Sequence, residues 1–131
     1  MQQIKTFLTL PTGTSKQAIK LYTTIFPNSS ILNEQTIAQG TPNEVYVADV
    51  RIANTSFTFM DMNKDQVPPL NWAISLLYTV ESRKEFDTIF EELKKDGTAM
   101  MGPEPVEATG ILLCCWVVDR YKVTWQLVLN K

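Results

Sequence analysis

The second half of this chain repeats the layout of its first half at one fixed offset. Ser15 opens one helical pattern and Ser82 opens another, an offset of 67 residues (82 − 15 = 67). The same shift aligns Phe7 with Ile74, Ile19 with Phe86, Tyr22 with Ile89, Phe26 with Leu93, Tyr46 with Leu113, Val50 with Val117 and Phe57 with Thr124. Side-chain class is kept at most of these pairs. A duplicated half-domain predicts a pseudo-symmetric fold with its ligand cavity where the halves meet.

Each half is predicted to contain four strands and one helix in the order β-α-β-β-β. In the first module, residues 1–67, strands cover 4–10, 31–38, 44–52 and 56–62, and a helix runs from the N-cap Ser15 to residue 26. In the second module, residues 68–131, strands cover 72–80, 98–102, 111–118 and 123–129. Its helix begins with the capping box Ser82–Glu85 and ends at a C-cap, Gly97. Loops 62–71 and 102–110 are expected to rim a pocket, and the two modules together form one domain.

Charge and composition exclude several classes of partner. The net charge is −2, so no basic field is available for nucleic acid or for an anionic membrane. The first residues run straight into a strand pattern without an apolar signal core, and no window reaches transmembrane length. We therefore expect a cytoplasmic protein that binds neither nucleic acid nor membrane.

Cys114 and Cys115 are the only cysteines, and they are adjacent in a predicted strand. Their side chains must point to opposite faces of the sheet, and a disulfide between neighbours would distort the peptide that joins them. The chain has no histidine to activate a thiol. Both cysteines are therefore interpreted as small buried hydrophobic residues.

Strand alternation divides the side chains of each sheet between a face under the helix and an inward face. The residues predicted to lie under the helices are Phe7, Tyr46, Val50, Ile74, Cys115, Val117, Trp125 and Leu127. The residues predicted to face inward are Thr6, Leu8, Phe57, Phe59, Asp61, Ala73, Ser75, Leu77, Cys114, Trp116, Gln126 and Val128. Aromatic walls with a few polar groups are typical of a small-molecule pocket, although an imperfectly packed core has the same composition. A one-residue slip in register would exchange the two faces.

Three motifs together resemble one known family. The segment Trp116–Gln126 resembles the signature Trp-x-x-Asp-Lys-Tyr-Gly-x-Ser-Trp-Gln of the PhnB-like branch, often labelled 3-demethylubiquinone methyltransferase-like. Residues 25–29 resemble the helix-ending Ile-Phe-Pro-Asn-Ser of that branch, and residues 73–75 resemble its Ala-Ile-Ser strand. The branch belongs to the glyoxalase, bleomycin-resistance and dioxygenase superfamily, also called vicinal oxygen chelate proteins.

The resemblance implies an α+β fold in which paired β-α-β-β-β modules form a curled eight-stranded mixed sheet with helices on the convex face. It also implies a homodimer. The chain departs from the branch at Lys122, which occupies the place of the signature's glycine, at the ending Leu127-Val-Leu, and at Met62-Asn63, where Gly-Gly is usual.

The resemblance does not carry over the chemistry of the superfamily's metalloenzymes or of a methyltransferase. The positions matched to the metal ligands hold Thr6, Phe59, Ala73 and Gln126, and an amide oxygen alone does not hold zinc, nickel or iron. The five glycines are scattered singly, unlike the glycine-rich turn that binds S-adenosylmethionine. We therefore expect no metal and no cofactor.

Three functional hypotheses remain from the sequence. The first is a metal-free small-molecule-binding protein whose ligand contacts Thr6, Phe57, Phe59, Asp61, Ser75, Leu77, Trp116 and Gln126. The second is a metal-independent lyase, isomerase or transferase in which Asp61 is the general base and Gln126 polarises a carbonyl or orients water. The third is a dimeric interaction module with a vestigial cavity, favoured by an open sheet edge.

Overall fold

The computed structural model describes residues 2–131, so Met1, the first residue of the first predicted module, lies outside it. The chain divides into two compact units, Met1–Pro68 and Pro69–Lys131. Each unit contains one α-helix and four strands in the predicted β-α-β-β-β order. The α+β class is confirmed, and the eight predicted strands are present.

The first unit is a mixed four-stranded sheet with one helix packed on it. Its elements are β1 (Thr6–Pro11), α1 (Ser15–Ile25), β2 (Ser30–Ile37), β3 (Val45–Ile52) and β4 (Thr55–Met62). The strand order is β1-β4-β3-β2, with β1 parallel to β4 and the other neighbours antiparallel. Helix α1 packs on β3 and β4.

The second unit has the same topology. Its elements are β5 (Leu76–Thr79), α2 (Arg83–Lys94), β6 (Thr98–Val106), a short 3-10 helix (Glu107–Thr109), β7 (Ile111–Val118) and β8 (Thr124–Asn130). The strand order is β5-β8-β7-β6, with β5 parallel to β8, and α2 packs on β7 and β8. The eight strands that the family resemblance implied are hydrogen-bonded as two mixed sheets of four.

Helix α1 is held to its sheet by an apolar stripe at three- and four-residue spacing. Ala18, Ile19 and Tyr22 are fully buried, and the Tyr22 ring lies 6.1 Å from the ring of Phe59 in β4. The helix ends before Pro27, which has no N–H for a further turn. Ser15 was predicted to be the N-cap, but it is the first residue of the helix, and the N-cap is Thr14.

Helix α2 has the predicted N-cap Ser82, but the second hydrogen bond of the predicted capping box is made to the N–H of Glu81 rather than to that of Ser82. The Ser82 Oγ accepts a hydrogen bond from the backbone N–H of Glu85 at 3.1 Å, and the Glu85 carboxylate accepts one from the N–H of Glu81 at 2.9 Å. Its buried stripe is the predicted one: Phe86, Ile89, Phe90 and Leu93.

The predicted C-cap role of Gly97 is wrong. The left-handed residue that follows α2 is Asp96, with φ 56°. Gly97 is required for a different reason, because a Cβ there would overlap the carbonyl oxygen of Val118.

The second sheet differs from the prediction at both of its edges. Strand β5 has only four residues, so the segment predicted to start it at Trp72 is irregular. Strand β6 instead continues through Pro103 and Pro105 into the predicted loop. Prolines are tolerated there because β6 is an edge strand with shifts in its pairing register. Among residues 2–131, neither helix has the length and apolarity needed to cross a membrane.

Candidate functional site

The pairing register in the first sheet reverses the predicted faces of β1 and β4. Phe57 pairs with Val50 and Phe59 pairs with Ala48, and cross-strand partners lie on the same face. Phe59 contacts Tyr22 of α1, so these partners form the face that α1 covers. Thr6 and Leu8 pair with Phe57 and Phe59 and share that face. The predicted inward position of Thr6, Leu8, Phe57 and Phe59 is therefore wrong, and so is the placement of Phe7 under the helix.

The faces of β1 and β4 were predicted wrongly because the two units differ in the length of one hairpin turn. In the first unit Val50 pairs with Phe57, and in the second unit Val117 pairs with Trp125. The offset is 67 in the third strand (117 − 50 = 67) but 68 in the fourth (125 − 57 = 68). The turn of the second unit has one residue more, and a one-residue shift moves a strand's side chains to the opposite face.

Asp61 also lies on the helix face, where it caps α1. Its Oδ2 accepts a hydrogen bond from the Gly13 N–H at 2.9 Å, and its Oδ1 accepts one from the Ser15 N–H at 2.9 Å. The side chain is 5% exposed. A carboxylate at a helix N-terminus satisfies unpaired N–H groups and is favoured by the helix dipole. This placement contradicts the predicted inward orientation on which a general-base role for Asp61 depended.

The face of the first sheet opposite α1, called the first open face, contains Lys5, Phe7, Asp49 and Thr58. The Asp49 carboxylate accepts hydrogen bonds from the Lys5 ammonium at 3.1 Å and from the Thr58 hydroxyl at 2.7 Å. The hydrogen bond from Thr58, followed by that from Lys5, lowers the pKa of Asp49. Phe7 is 54% exposed beside this group. None of these four residues is in the predicted site.

The face of the second sheet opposite α2, called the second open face, has the predicted composition. Trp116 pairs with Gln126, Cys114 with Val128, and Leu77 with Gln126. The Gln126 Nε2 donates a hydrogen bond to the Ser75 Oγ at 2.8 Å. The structure therefore brings Ser75, Leu77, Trp116 and Gln126 together on one face. Ile74 was predicted to lie under α2, but it is 80% exposed.

Trp116 carries a buried hydrogen-bond donor without a partner. Its indole Nε1 is inaccessible to solvent and has no hydrogen-bond partner within residues 2–131. The ring of Trp72 lies against it, with 5.8 Å between the ring centroids, and Trp72 itself is 56% exposed. An unpaired buried donor costs about 1–3 kcal/mol. The predicted site did not include Trp72, because alternation along the predicted strand 72–80 placed Ser75 and Leu77 on the inward face and Trp72 on the other face.

The two cysteines lie on opposite faces of the second sheet, as predicted. Cys114 pairs with Val128 on the second open face, and Cys115 pairs with Leu127 under α2. Both thiols are free and buried. Burial raises the pKa of Cys114, as does the nearby charge of Glu104, and burial raises the pKa of Cys115 to about 11. Neither is an activated thiolate at neutral pH.

Asp119 organises the turn between β7 and β8. Its carboxylate accepts hydrogen bonds from the backbone N–H groups of Tyr121 and Val123 and from the indole Nε1 of Trp125, at 2.8, 3.1 and 3.0 Å. Lys122 lies within this turn with φ 71°, a left-handed conformation that favours glycine. The geometry thus explains the aspartate and the second tryptophan of the signature, which are hydrogen-bonded to each other, and the glycine that Lys122 replaces.

The residue types at the positions matched to metal ligands do not fit a metal centre. The position on β4 equivalent to Gln126 is Thr58 rather than Phe59, because Thr58 pairs with Asp49 as Gln126 pairs with Trp116. Neither a threonine nor a glutamine is a typical zinc ligand, and the chain has no histidine. No group of three or more Cys, Asp or Glu side chains in the described part of the chain is arranged to hold a metal ion.

A separate cleft of about 450 Å³ lies within the first unit. Its lining is mostly polar and comes from Thr12, Thr41, Pro42, Asn43, Glu44, Val45, Met62, Asn63 and Gln66. Three of these residues belong to the first loop predicted to rim a pocket. Residues 41–44, in the turn between β2 and β3, and Val45, at the start of β3, were not predicted to line a cleft.

Comparisons with known proteins agree with the fold of the chain. The family model described as 3-demethylubiquinone-9 3-methyltransferase matches residues 2–128. The PhnB protein from Bacillus cereus is 28% identical with a TM-score of 0.84, covering 98% of this chain and 100% of that chain. Protein PA1353 from Pseudomonas aeruginosa is 16% identical with a TM-score of 0.81, covering 99% and 98% of the two chains.

More distant structures share the fold alone. A glyoxylase/bleomycin resistance protein/dioxygenase domain from Frankia is 14% identical with a TM-score of 0.65, covering 100% of this chain and 93% of that chain. The fosfomycin resistance protein FosX from Listeria monocytogenes, in its complex with Mn(II), is 13% identical with a TM-score of 0.67, covering 99% and 92%. A search of curated proteins found no match.

Proposed function

We propose that this chain, which belongs to the 3-demethylubiquinone-9 3-methyltransferase family, binds a small molecule on its second open face. The observation that carries the proposal is the unpaired indole N–H of Trp116 beside the hydrogen-bonded side chains of Gln126 and Ser75. Apolar walls with a few directed polar groups are typical of ligand sites. Here Trp72 and Leu77 supply the exposed apolar surface.

The polar groups of this face can orient a ligand. The Gln126 amide nitrogen donates to Ser75, so its carbonyl oxygen is available as an acceptor, and the Ser75 hydroxyl can donate its own proton. Trp116 adds one donor and a ring face on which a planar molecule can stack. Because the side chains do not form a metal site, we derive no step through a metal ion.

Gentle native mass spectrometry of freshly purified protein tests the proposal first. We expect an added organic mass on the chain, which then identifies the ligand. The ligand should bind wild-type protein at least tenfold more tightly than the variant Gln126→Leu, which removes the hydrogen bond to Ser75.

The first open face supplies a matched control for this experiment. Thr58→Val alters the equivalent cross-strand position of the other sheet and should leave the affinity unchanged. Equal loss of affinity in both variants would show that the effect is structural rather than local. A protein with no co-purified mass that also binds no compound in a fluorescence screen would contradict the proposal.

We also propose that the protein is a homodimer, supported by the exposed edge strand β2. All eight of its residues are exposed, and Ile31, Leu32 and Ile37 are each about half exposed. An apolar edge strand of this length is a template for pairing with another chain. Sedimentation velocity at micromolar concentration should show a dimer that Leu32→Lys weakens, and a wild-type monomer would contradict the proposal.

A further inference from the structure

We infer that the site on the second open face selects uncharged, planar ligands that carry a hydrogen-bond acceptor, and that this acceptor pairs with the indole N–H of Trp116. The inference rests on the proposed function and assigns that site a ligand class. It follows from three independent properties of the face: its charge, its unpaired donor and its aromatic cover.

The charge of the face disfavours anionic ligands. Among the residues that strand pairing places on it, Glu104 is the only charged one, and its charge is felt at the neighbouring Cys114. The basic residues of α2, Arg83, Lys84 and Lys94, lie on the helix that covers the opposite face. An anion bound here would lose its hydration without gaining a counter-charge.

The unpaired donor requires an acceptor from the ligand. The N–H of Trp116 is hidden from solvent and has no partner, so in the free protein it has lost water without gaining a hydrogen bond. A carbonyl oxygen that reaches it would satisfy that donor. Sites with buried polar groups discriminate strongly against analogues that leave those groups unpaired.

The aromatic cover explains how a ligand gains access and why it should be planar. Trp72 lies against Trp116 in the irregular segment before β5, and more than half of its surface is exposed. The larger part of the Trp72 surface is therefore not covered by the protein. Displacement of this ring exposes the indole N–H of Trp116, and Trp72 can then stack on the opposite side of a planar ligand.

Three probes of nearly equal shape test the inference: naphthalene carboxamide, naphthalene carboxylate and methylnaphthalene. Binding to the full chain is measured by calorimetry and by quenching of tryptophan fluorescence. We expect the carboxamide to bind about tenfold more tightly than methylnaphthalene, which lacks an acceptor, and the carboxylate to bind most weakly.

The variant Trp116→Phe isolates the hydrogen bond, because phenylalanine keeps an aromatic ring but has no N–H. We expect it to bind the carboxamide and methylnaphthalene equally, whereas the control variant Trp72→Phe keeps the preference for the carboxamide. Residual binding of methylnaphthalene to Trp116→Phe shows that the variant is folded, and thermal unfolding checks this independently.

The outcomes distinguish this inference from the proposed function. If none of the probes binds wild-type protein, the ligand class is wrong, and the proposed function is decided by the native mass spectrum and the fluorescence screen. If the probes bind but the carboxylate binds as tightly as the carboxamide, the ligand class is wrong while the binding site stands. If Trp116→Phe keeps the tenfold preference, the indole N–H is not the group that recognises the acceptor.

Discussion

The two open faces have equivalent geometry but different chemistry. Asp49 and Thr58 are cross-strand partners on the first, and Trp116 and Gln126 are the corresponding partners on the second. On the first face, a lysine, a carboxylate and a hydroxyl satisfy one another. On the second, an indole N–H has no partner. The fold provides two similar positions, and the second carries the buried donor that has no partner.

The N-termini of the two helices are capped by different means, and removal of the Asp61 cap should have the largest effect on stability. Asp61 caps α1 from a strand and is nearly buried, whereas Ser82 caps α2 from its own first turn. We expect Asp61→Ala to lower the free energy of unfolding by about 4 kcal/mol, because two charge-assisted hydrogen bonds are lost. Ser82→Ala should cost about 1 kcal/mol. Urea denaturation measures both, and equal costs would contradict the capping role of Asp61.

Two glycines near the edge of the second sheet have similar backbone conformations but different surroundings, because β6 approaches β7 at Gly102 more closely than a side chain allows. At Gly102, φ is 76° and a Cβ would overlap the carbonyl oxygen of Cys114, whereas at Gly110 φ is 74° and nothing is near. Gly102→Ala should therefore cost about 3 kcal/mol, and Gly110→Ala only the 1–2 kcal/mol typical of a left-handed alanine. Thermal unfolding measures both losses, and the difference between them is the cost of the overlap at Gly102. Equal losses would mean that β6 moves away without cost.

A substitution in one of the two hairpin turns should stabilise the protein, by less than the Gly102 variant destabilises it. Lys122 in the second turn has φ 71°, and Asn54 in the first has φ 65°. Lys122→Gly should stabilise the protein by about 1 kcal/mol, because glycine adopts this conformation without a steric penalty. Asn54→Gly should change stability by less, since asparagine tolerates the left-handed region. A destabilised Lys122→Gly variant would show that the lysine side chain makes a contribution of its own.

The ion pair of the first open face should have the smallest effect on stability. The folded-state pKa of Asp49 is lowered, so its stabilisation is present above the ordinary pKa of 3.8 and is lost as the pH falls through the folded value. About 40% of the carboxylate side chain is exposed, so we expect less than about 1 kcal/mol. Carboxyl NMR titration should show that Thr58→Val raises the pKa of Asp49 more than Lys5→Met does. The reverse order would mean that the ion pair is the larger cause.

The sequence was a good guide to the second helix. Its N-cap Ser82 and its buried stripe follow from residue types at fixed spacing, and both are present as predicted. The signature segment is also determined locally, because the Trp125 indole donates its hydrogen bond to Asp119, only six residues away in the chain. On the second open face, adjacent residues alternate as predicted, so Ser75, Leu77, Trp116 and Gln126 lie together.

The predicted site on the first sheet failed because strand pairing sets the face and the sequence repeat conceals it. Phe57, Phe59 and Asp61 lie on one face of β4, as predicted. The shorter turn at Ala53 and Asn54 makes this the face that α1 covers. The cleft lined by residues 41–45 and by loop 62–66 was missed for a related reason. Its walls come from segments distant in sequence that have no shared pattern.

By itself, the sequence determined the order of the elements, the duplicated topology and the chemistry of the second open face. These depend on periodicity, caps and turns, which act between neighbouring residues. Only the tertiary structure decided which face of β1 and β4 meets α1, that Asp61 is a helix cap, and that the indole N–H of Trp116 has no partner. Each depends on the register between strands or on contacts between distant residues, and one residue in a turn is enough to change that register.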